Sequence, residues 1–172
     1  MLTSQSAWPP WTNQEIVLYH GTLLQHATKI AQHGVDTSFG APNRDFGRGF
    51  YTTTWLDQAQ DWAESRASEE NFASVIVRLT LGRLELRRLN SLAFVRGARG
   101  AQDFWSFVSH CRQKNQGARA THQYYDVVYG PVAKDWKGPR TAKVFRDFDQ
   151  ISFHGIDAQN LLRDPHKCKV GQ

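Results

Sequence analysis

Most of the chemistry legible in this sequence sits in two short blocks, Leu18-Tyr19-His20-Gly21-Thr22 and Asp45-Phe46-Gly47-Arg48-Gly49-Phe50-Tyr51-Thr52-Thr53. Each reads as a β-strand with a polar or glycine-bearing edge. His20 and Thr22 flank a glycine where a strand ends, so Gly21 can offer its N–H and C=O with no side chain in the way, a place for a flat amide to hydrogen-bond. In the second block Gly47 and Gly49 bracket Arg48 and let the chain bend close to a bound group, and strand alternation sends Phe50 and Tyr51 to opposite faces. Phe50 is the expected core residue, and Tyr51 the amphipathic ring expected to stack in a cleft. An imidazole, a hydroxyl, bare amides and a ring together suit a nicotinamide nucleotide. Such a ligand needs a stacking platform, a clamp for its carboxamide and a partner for its ribose hydroxyls.

Taken alone, His-Gly-Thr is more often a satisfied core histidine beside an ordinary turn. Gly-x-Gly before an aromatic pair is common strand punctuation; it is not the dinucleotide fingerprint, because a loop precedes it and no helix opens on it. Other chemistries have less support. His20, His26 and His33 lack the i, i+4 spacing of a helical zinc pair, and neither His-Glu-x-x-His nor Cys-x-x-Cys occurs, so no metal is expected. A Gly-x-Ser-x-Gly elbow and a phosphate loop ending in Gly-Lys-Ser or Gly-Lys-Thr are also missing.

The elements that must position these residues follow from apolar spacing and breakers. Residues 1–14, with Trp8-Pro9-Pro10-Trp11, read as an extended arm, and residues 15–172 as a single domain. Ile16 to Tyr19 is a compact strand; Leu23, Leu24, Ala27, Ile30 and Ala31 then fall at helical spacing, with Gly34 as the C-cap and residues 35–46 as a loop. Residues 49–54 read as a strand running into a helix begun by Asp57, with Trp62 on its buried side. Residues 74–81 are the clearest strand, rich in β-branched residues and stopped by Gly82, and Leu84 to Leu86 read as an extension of the sheet. Residues 97–100 read as a turn before an amphipathic helix over residues 101–115. Strands are expected at 124–129, 142–145 and 150–153, and a closing helix at 157–163. Strands outnumber helices without strict alternation, which predicts an α+β fold on a mixed sheet.

Composition narrows the class. At 172 residues the chain can bury a core without staples, and its two cysteines, Cys111 and Cys168, form no disulfide framework. No stretch approaches the roughly 18 apolar residues of a membrane helix, and the N-terminus lacks the basic start and apolar core of a secretory signal, so a cytoplasmic location with no membrane contact is expected. A formal charge of +5 favours acidic partners such as nucleic acid or a dinucleotide pyrophosphate, although the basic residues are scattered.

Read in order, Tyr19-His20-Gly21-Thr22, then the block from Asp45 to Thr53, Gln58-Ala59, Trp62-Ala63, Tyr125-Asp126-Val127-Val128-Tyr129-Gly130-Pro131-Val132-Ala133 and Gln150-Ile151-Ser152-Phe153, the chain resembles a bacterial branch of the ADP-ribosyltransferase superfamily. The likeness is to the diphtheria-toxin and poly(ADP-ribose) polymerase side, and it covers residues 15–163. The resemblance implies a split, mixed or antiparallel β-sheet core with flanking helices. It implies NAD as co-substrate, with transfer of ADP-ribose to a protein or nucleic acid in the manner of a toxin or phage-conflict effector, and an antitoxin among the partners. His20, Tyr51 and Gln150 would form the catalytic triad. His20 would hydrogen-bond the ribose next to the nicotinamide with help from Thr22, Gly21 would clamp the carboxamide, and Tyr51 would stack on the ring. Asp45, Phe46, Gly47 and Gly49 would line the loop over the dinucleotide. Related enzymes often carry glutamate where Gln150 falls, and a register slip of one would exchange Gln150 for Asp149. An amide can orient and polarise but not deprotonate, so single transfer is expected and not chain building. Phe148 and Lys134 also stand where acids would be expected. Two other readings stay open: an RNA 2′-phosphotransferase using Arg44 and Arg48, and a catalytically silent NAD-binding or nucleic-acid-binding module.

Overall fold

The computed structural model describes residues 14–95, 101–113, 124–134 and 143–171, which form a mixed α+β arrangement. In chain order the elements are β1 (Glu15–Leu23), α1 (Leu24–His33), a 3-10 turn (Thr37–Phe39), β2 (Phe50–Thr52) and α2 (Leu56–Glu70). Then come β3 (Ser74–Gly82), α3 (Arg83–Leu86), β4 (Ser91–Ala93), α4 (Ala101–Arg112), β5 (Val127–Lys134), β6 (Lys143–Phe153), α5 (Gly155–Leu162) and β7 (Cys168–Gly171). They build a three-stranded antiparallel sheet in the order β1-β3-β7 and a four-stranded sheet in the order β2-β6-β5-β4, in which only the β4–β5 pair is parallel. The expected Trp8–Trp11 arm and the turn at 97–100 lie outside the described residues. Among the described residues no helix is long and apolar enough to cross a membrane.

Among the described residues, two larger hydrophobic clusters hold the sheets and a third, smaller one seats α2 against β1 and β3. One of the larger two gathers Leu18 of β1, Val77, Leu79 and Leu81 of β3, Phe153 of β6 and Leu162 of α5. The other is aromatic and centres on fully buried Phe46, whose ring meets those of Phe94, Phe104 and Phe107 at centroid distances of 6.0 to 6.3 Å, and it fastens α4 to the second sheet. Ring edges and faces at such spacing add to the burial energy of each side chain.

Several expectations are corrected. Trp62 does not face the core. Ala59 and Ala63 do, because α2 lies close against β1 and only small side chains fit there; Trp62, one position round the helix, is 52% exposed. Leu84 to Leu86 do not extend the sheet but belong to the short helix α3, since Glu85 turns back to accept the Gly82 N–H at 3.2 Å. The strands expected at 142–145 and 150–153 are one strand, β6, whose pairing with β5 absorbs a register shift between Pro131 and Ala133. β5 likewise runs through Gly130-Pro131: β4 pairs only with Val127 to Tyr129, so the proline without an N–H sits beyond the end of its neighbour.

Candidate active site

The two sheets touch where Tyr19 and Thr53 exchange backbone hydrogen bonds of 2.8 and 2.9 Å, and beyond that point they separate. Pairing continued from there would set Gly21 opposite Tyr51. The Tyr51 carbonyl is instead taken by the His20 imidazole, with Nδ1 at 2.6 Å. Along an antiparallel strand, N–H and C=O of alternate residues point to the same edge. The register of β1 against β3 is unbroken from Glu15 to Leu23, so Gly21 turns its backbone pair to the edge that Tyr19 uses for Thr53, towards the gap. On its other side a Cβ at Gly21 would come 1.9 Å from the Ala59 carbonyl oxygen, so the glycine also lets α2 approach.

The gap is the wall of a cavity of about 690 Å3, which lies in the usual range for small-molecule sites. His20, Gly21, Thr22, Asp45, Gly49, Tyr51 and Gln150 all line it. Three separate strands therefore bring His20, Tyr51 and Gln150 to one concave surface. Phe46 and Gly47 are not part of it: Phe46 is the centre of the aromatic core, and Gly47, with φ at 80°, makes the bend that Tyr51 holds.

Each of the three is fixed by its neighbours. His20 must donate from Nδ1, since its partner is a carbonyl, so Nε2 carries the lone pair. Burial pushes the pKa of His20 down to about 4, against a smaller upward pull from that carbonyl, and the ring is neutral at physiological pH. The Tyr51 hydroxyl donates to the Gly47 carbonyl at 2.8 Å and accepts the Phe46 N–H at 2.9 Å, which holds the ring in place. Burial raises its pKa well above the ordinary phenol value, so it stays protonated. Gln150, 7% exposed, donates from Nε2 to Asp45 at 2.7 Å and to the Pro131 carbonyl at 2.9 Å. The register question is decided by β6 itself. Asp149 does not line the cavity; its carboxylate receives Thr53 Oγ1 at 2.6 Å, Thr54 N at 3.0 Å and Thr54 Oγ1 at 2.5 Å, beside the N-terminus of α2. Asp149→Asn is therefore expected to cost about 1–3 kcal/mol of stability through unpaired buried donors and to leave turnover per folded molecule, in the activity proposed below, near wild type, whereas Gln150→Ala is expected to lose turnover together with the stability of its two buried hydrogen bonds. Urea melts and single-point rates on both variants check this, and loss of turnover with intact stability in Asp149→Asn would count against the assignment.

Other site features had no signal in the sequence. Arg112 of α4 pairs with Asp45, and Arg44 lies 5.5 Å from the centre of the exposed Trp62 ring. On another part of the lining Phe39 is 68% exposed, with Lys29 Nζ 5.9 Å from its centre and the His26 ring at 5.6 Å. Such pairs join residues distant in the chain through loops, where no periodicity announces them. Ser152 and His154 stand 2.8 Å apart in an arrangement like a serine nucleophile and its base, and His154 Nδ1 donates to the Arg48 carbonyl at 2.7 Å. Both are fully buried, so the pair anchors the Gly47–Gly49 bend and meets no substrate.

No curated protein matches this chain. The span that builds the cavity, from β1 to α5, is also the span matched, over residues 16–161, by the family described as "Protein of unknown function (DUF3990)", and the chain belongs to that family.

Proposed function

We propose that the chain is a mono-ADP-ribosyltransferase, which splits the nicotinamide–ribose bond of NAD and transfers ADP-ribose to a macromolecular acceptor, as a cytoplasmic effector of the toxin kind. The observation that carries this reading is the meeting of His20, Tyr51 and Gln150 in one cavity beside the open backbone edge of Gly21. The sheets parting at Tyr19 and Thr53 support an ADP-ribosyltransferase-like split core.

Each residue has a role in that chemistry. The Gly21 N–H and C=O take the carboxamide oxygen and amide hydrogen of nicotinamide, and the Tyr51 ring stacks on the pyridinium face. His20 Nε2, neutral and unprotonated, accepts from a ribose hydroxyl. The C1′–N bond breaks with its electron pair going to the nicotinamide nitrogen, which leaves as a neutral base, while positive charge develops on the ribose C1′ and ring oxygen. Gln150 Oε1 supplies negative potential to that centre. An acceptor nucleophile then bonds to C1′ and loses its proton to solvent or to a group of its own, since the amide cannot take it.

The test is to incubate the purified protein with NAD and with protein, RNA and DNA acceptors, following released nicotinamide and the ADP-ribose mass increment. Tyr51→Ala is expected to lower turnover by on the order of 10²-fold or more through lost ring positioning. No nicotinamide release and no adduct with any acceptor would overturn the proposal. The cation-capped rings of Trp62 and Phe39 are surfaces on which a base can stack, so nucleic acids are the acceptors to try first. NAD binding in a calorimeter with no turnover would select the silent binding module instead. The phosphotransferase reading has less support: Arg48 donates to the Ser38 carbonyl and Arg44 lies on Trp62.

A further inference from the structure

We infer that Asp45 is the positioning residue of this site and that it dictates an amide, not an acid, at position 150. The role of Gln150 towards the ribose rests on the proposed function; the reason it is a glutamine rests on hydrogen bonds alone. Asp45 comes from the loop before β2 and is only 3% exposed. Its Oδ1 accepts from Arg112 Nε at 2.7 Å and from a second guanidinium nitrogen. Its Oδ2 accepts from the Ala133 N–H at 2.8 Å and from Gln150 Nε2 at 2.7 Å. One carboxylate therefore ties α4, β5 and β6 together at the wall of the cavity.

Gln150 meets two acceptors there, the Asp45 carboxylate and the Pro131 carbonyl at 2.9 Å. Its amide can lie only one way. Both amide hydrogens go to those oxygens, since the reversed orientation would set oxygen against oxygen twice. Oε1 is then the acceptor left over, without a partner among the described residues, on a residue that lines the cavity. The negative charge of Asp45 on the amide hydrogens polarises the group and increases the electron density at Oε1, towards a reacting centre that becomes positive. An ionised glutamate in this place would lose both hydrogen bonds and put its charge against Asp45. A protonated glutamate would restore one of the two hydrogen bonds, with its single O–H donating to Asp45 and its C=O held where Oε1 is, and would leave the Pro131 carbonyl without its donor. Gln150 is thus the neutral isostere this pocket requires and not the remnant of a lost acid.

The experiment is Gln150→Glu, with Gln150→Met as a control of similar shape and no ionisable proton, followed by urea unfolding and NAD turnover between pH 5 and 8. At position 150, burial, the neighbouring Asp45 charge and the Pro131 carbonyl disfavour an ionised carboxyl more than the Arg112 guanidinium, already paired with Asp45, favours it, so the introduced acid titrates above the unfolded glutamate value. The stability of Gln150→Glu is therefore closest to native at the acid end, short of it by the lost Pro131 hydrogen bond, and falls as pH rises through that raised value, with a growing deficit in the urea midpoint. The deficit of Gln150→Met is the same at every pH. Turnover of Gln150→Glu is expected to be down on the order of 10²-fold at pH 8 and to recover towards pH 5, whereas Gln150→Met stays low throughout. A Gln150→Glu chain that folds at pH 5 and not at pH 8 supports the inference in the same way. A stability deficit independent of pH, or wild-type turnover of Gln150→Glu at pH 8, overturns it. The expected pH-dependent deficit in a protein that splits no NAD carries the inference and overturns the proposed function.

Discussion

Gly21→Ala is expected to lower the melting temperature by about 6–12 °C and, on the proposed function, to abolish NAD binding. Its Cβ would sit 1.9 Å from the Ala59 carbonyl oxygen, 2.9 Å from the Ala59 carbonyl carbon and 3.1 Å from the Ala63 nitrogen. All three are backbone atoms of α2, so no side chain can rotate away, and either the helix or the strand has to move. Overpacking that forces such backbone shifts costs about 3 kcal/mol or more, which in a domain of this size corresponds to the melting shift given. Neither movement leaves the site alone. β1 carries His20, and a shift there breaks the 2.6 Å contact with the Tyr51 carbonyl; α2 carries Gln58, whose amide donates to the Asp149 carbonyl at 2.7 Å and so registers β6. Gly171→Ala is the matching control, because a Cβ there meets nothing within 4 Å. Scanning calorimetry and NAD titration of both variants decide the matter. A native melting temperature for Gly21→Ala would mean that α2 does not rest on β1 as described.

On the proposed function, removing the His20 imidazole is expected to lower NAD turnover by on the order of 10²–10³-fold, the usual effect of deleting a preorganised polar group at a centre where charge develops. The loss should appear in kcat more than in KM, since carboxamide and ring contacts remain. His20 is also a pH-dependent stability element. Its folded pKa of about 4 lies below that of an unfolded histidine. Above pH 6.5 both states are neutral and the group contributes no pH dependence. As pH falls from about 6.5 to about 4, the unfolded chain takes up a proton that the folded site refuses, so wild type loses stability on the order of 3 kcal/mol across that window. His20→Gln, which keeps a side-chain donor near the Tyr51 carbonyl and does not titrate, should show a correspondingly smaller loss over the same range. Turnover of the wild type should show no histidine inflection between pH 5 and 8. Equal acid sensitivity of the two proteins, or an inflection near pH 6.5 that disappears in the variant, would mean that the ring is solvated and charges like a free histidine.

Much of the fold was legible because it depends on local spacing. The β-branched run of β3, the i, i+4 apolar stripe of α1 and its glycine cap, and the contrast between Phe50 and Tyr51 arise from periodicity that neighbouring residues set. The errors share one origin. Trp62 was expected inside because a large apolar ring on an amphipathic helix usually is; the closeness of α2 to β1 reserves that face for alanines, and closeness is a property of two elements. Leu84 to Leu86 alternate apolar and polar as a strand does, yet one side-chain cap at Gly82 turns them into helix.

The candidate site divides the same way. Residue types alone determined which chemistry this chain could attempt: His20, Gly21 and Tyr51 are readable as an imidazole, a bare amide edge and a platform from their place at strand ends. Only the tertiary structure decided which of Gln150 and Asp149 lines the cavity, because the two differ by one step of strand alternation, and which face of β6 meets the cavity is set by pairing with β5 and β2. It also moved Asp45 from the lip of a ligand loop to a buried junction, since the donors that claim its carboxylate come from residues 67, 88 and 105 positions away. A sequence shows which groups a chain carries; which of them remain free for a ligand depends on which hydrogen bonds the fold has already filled.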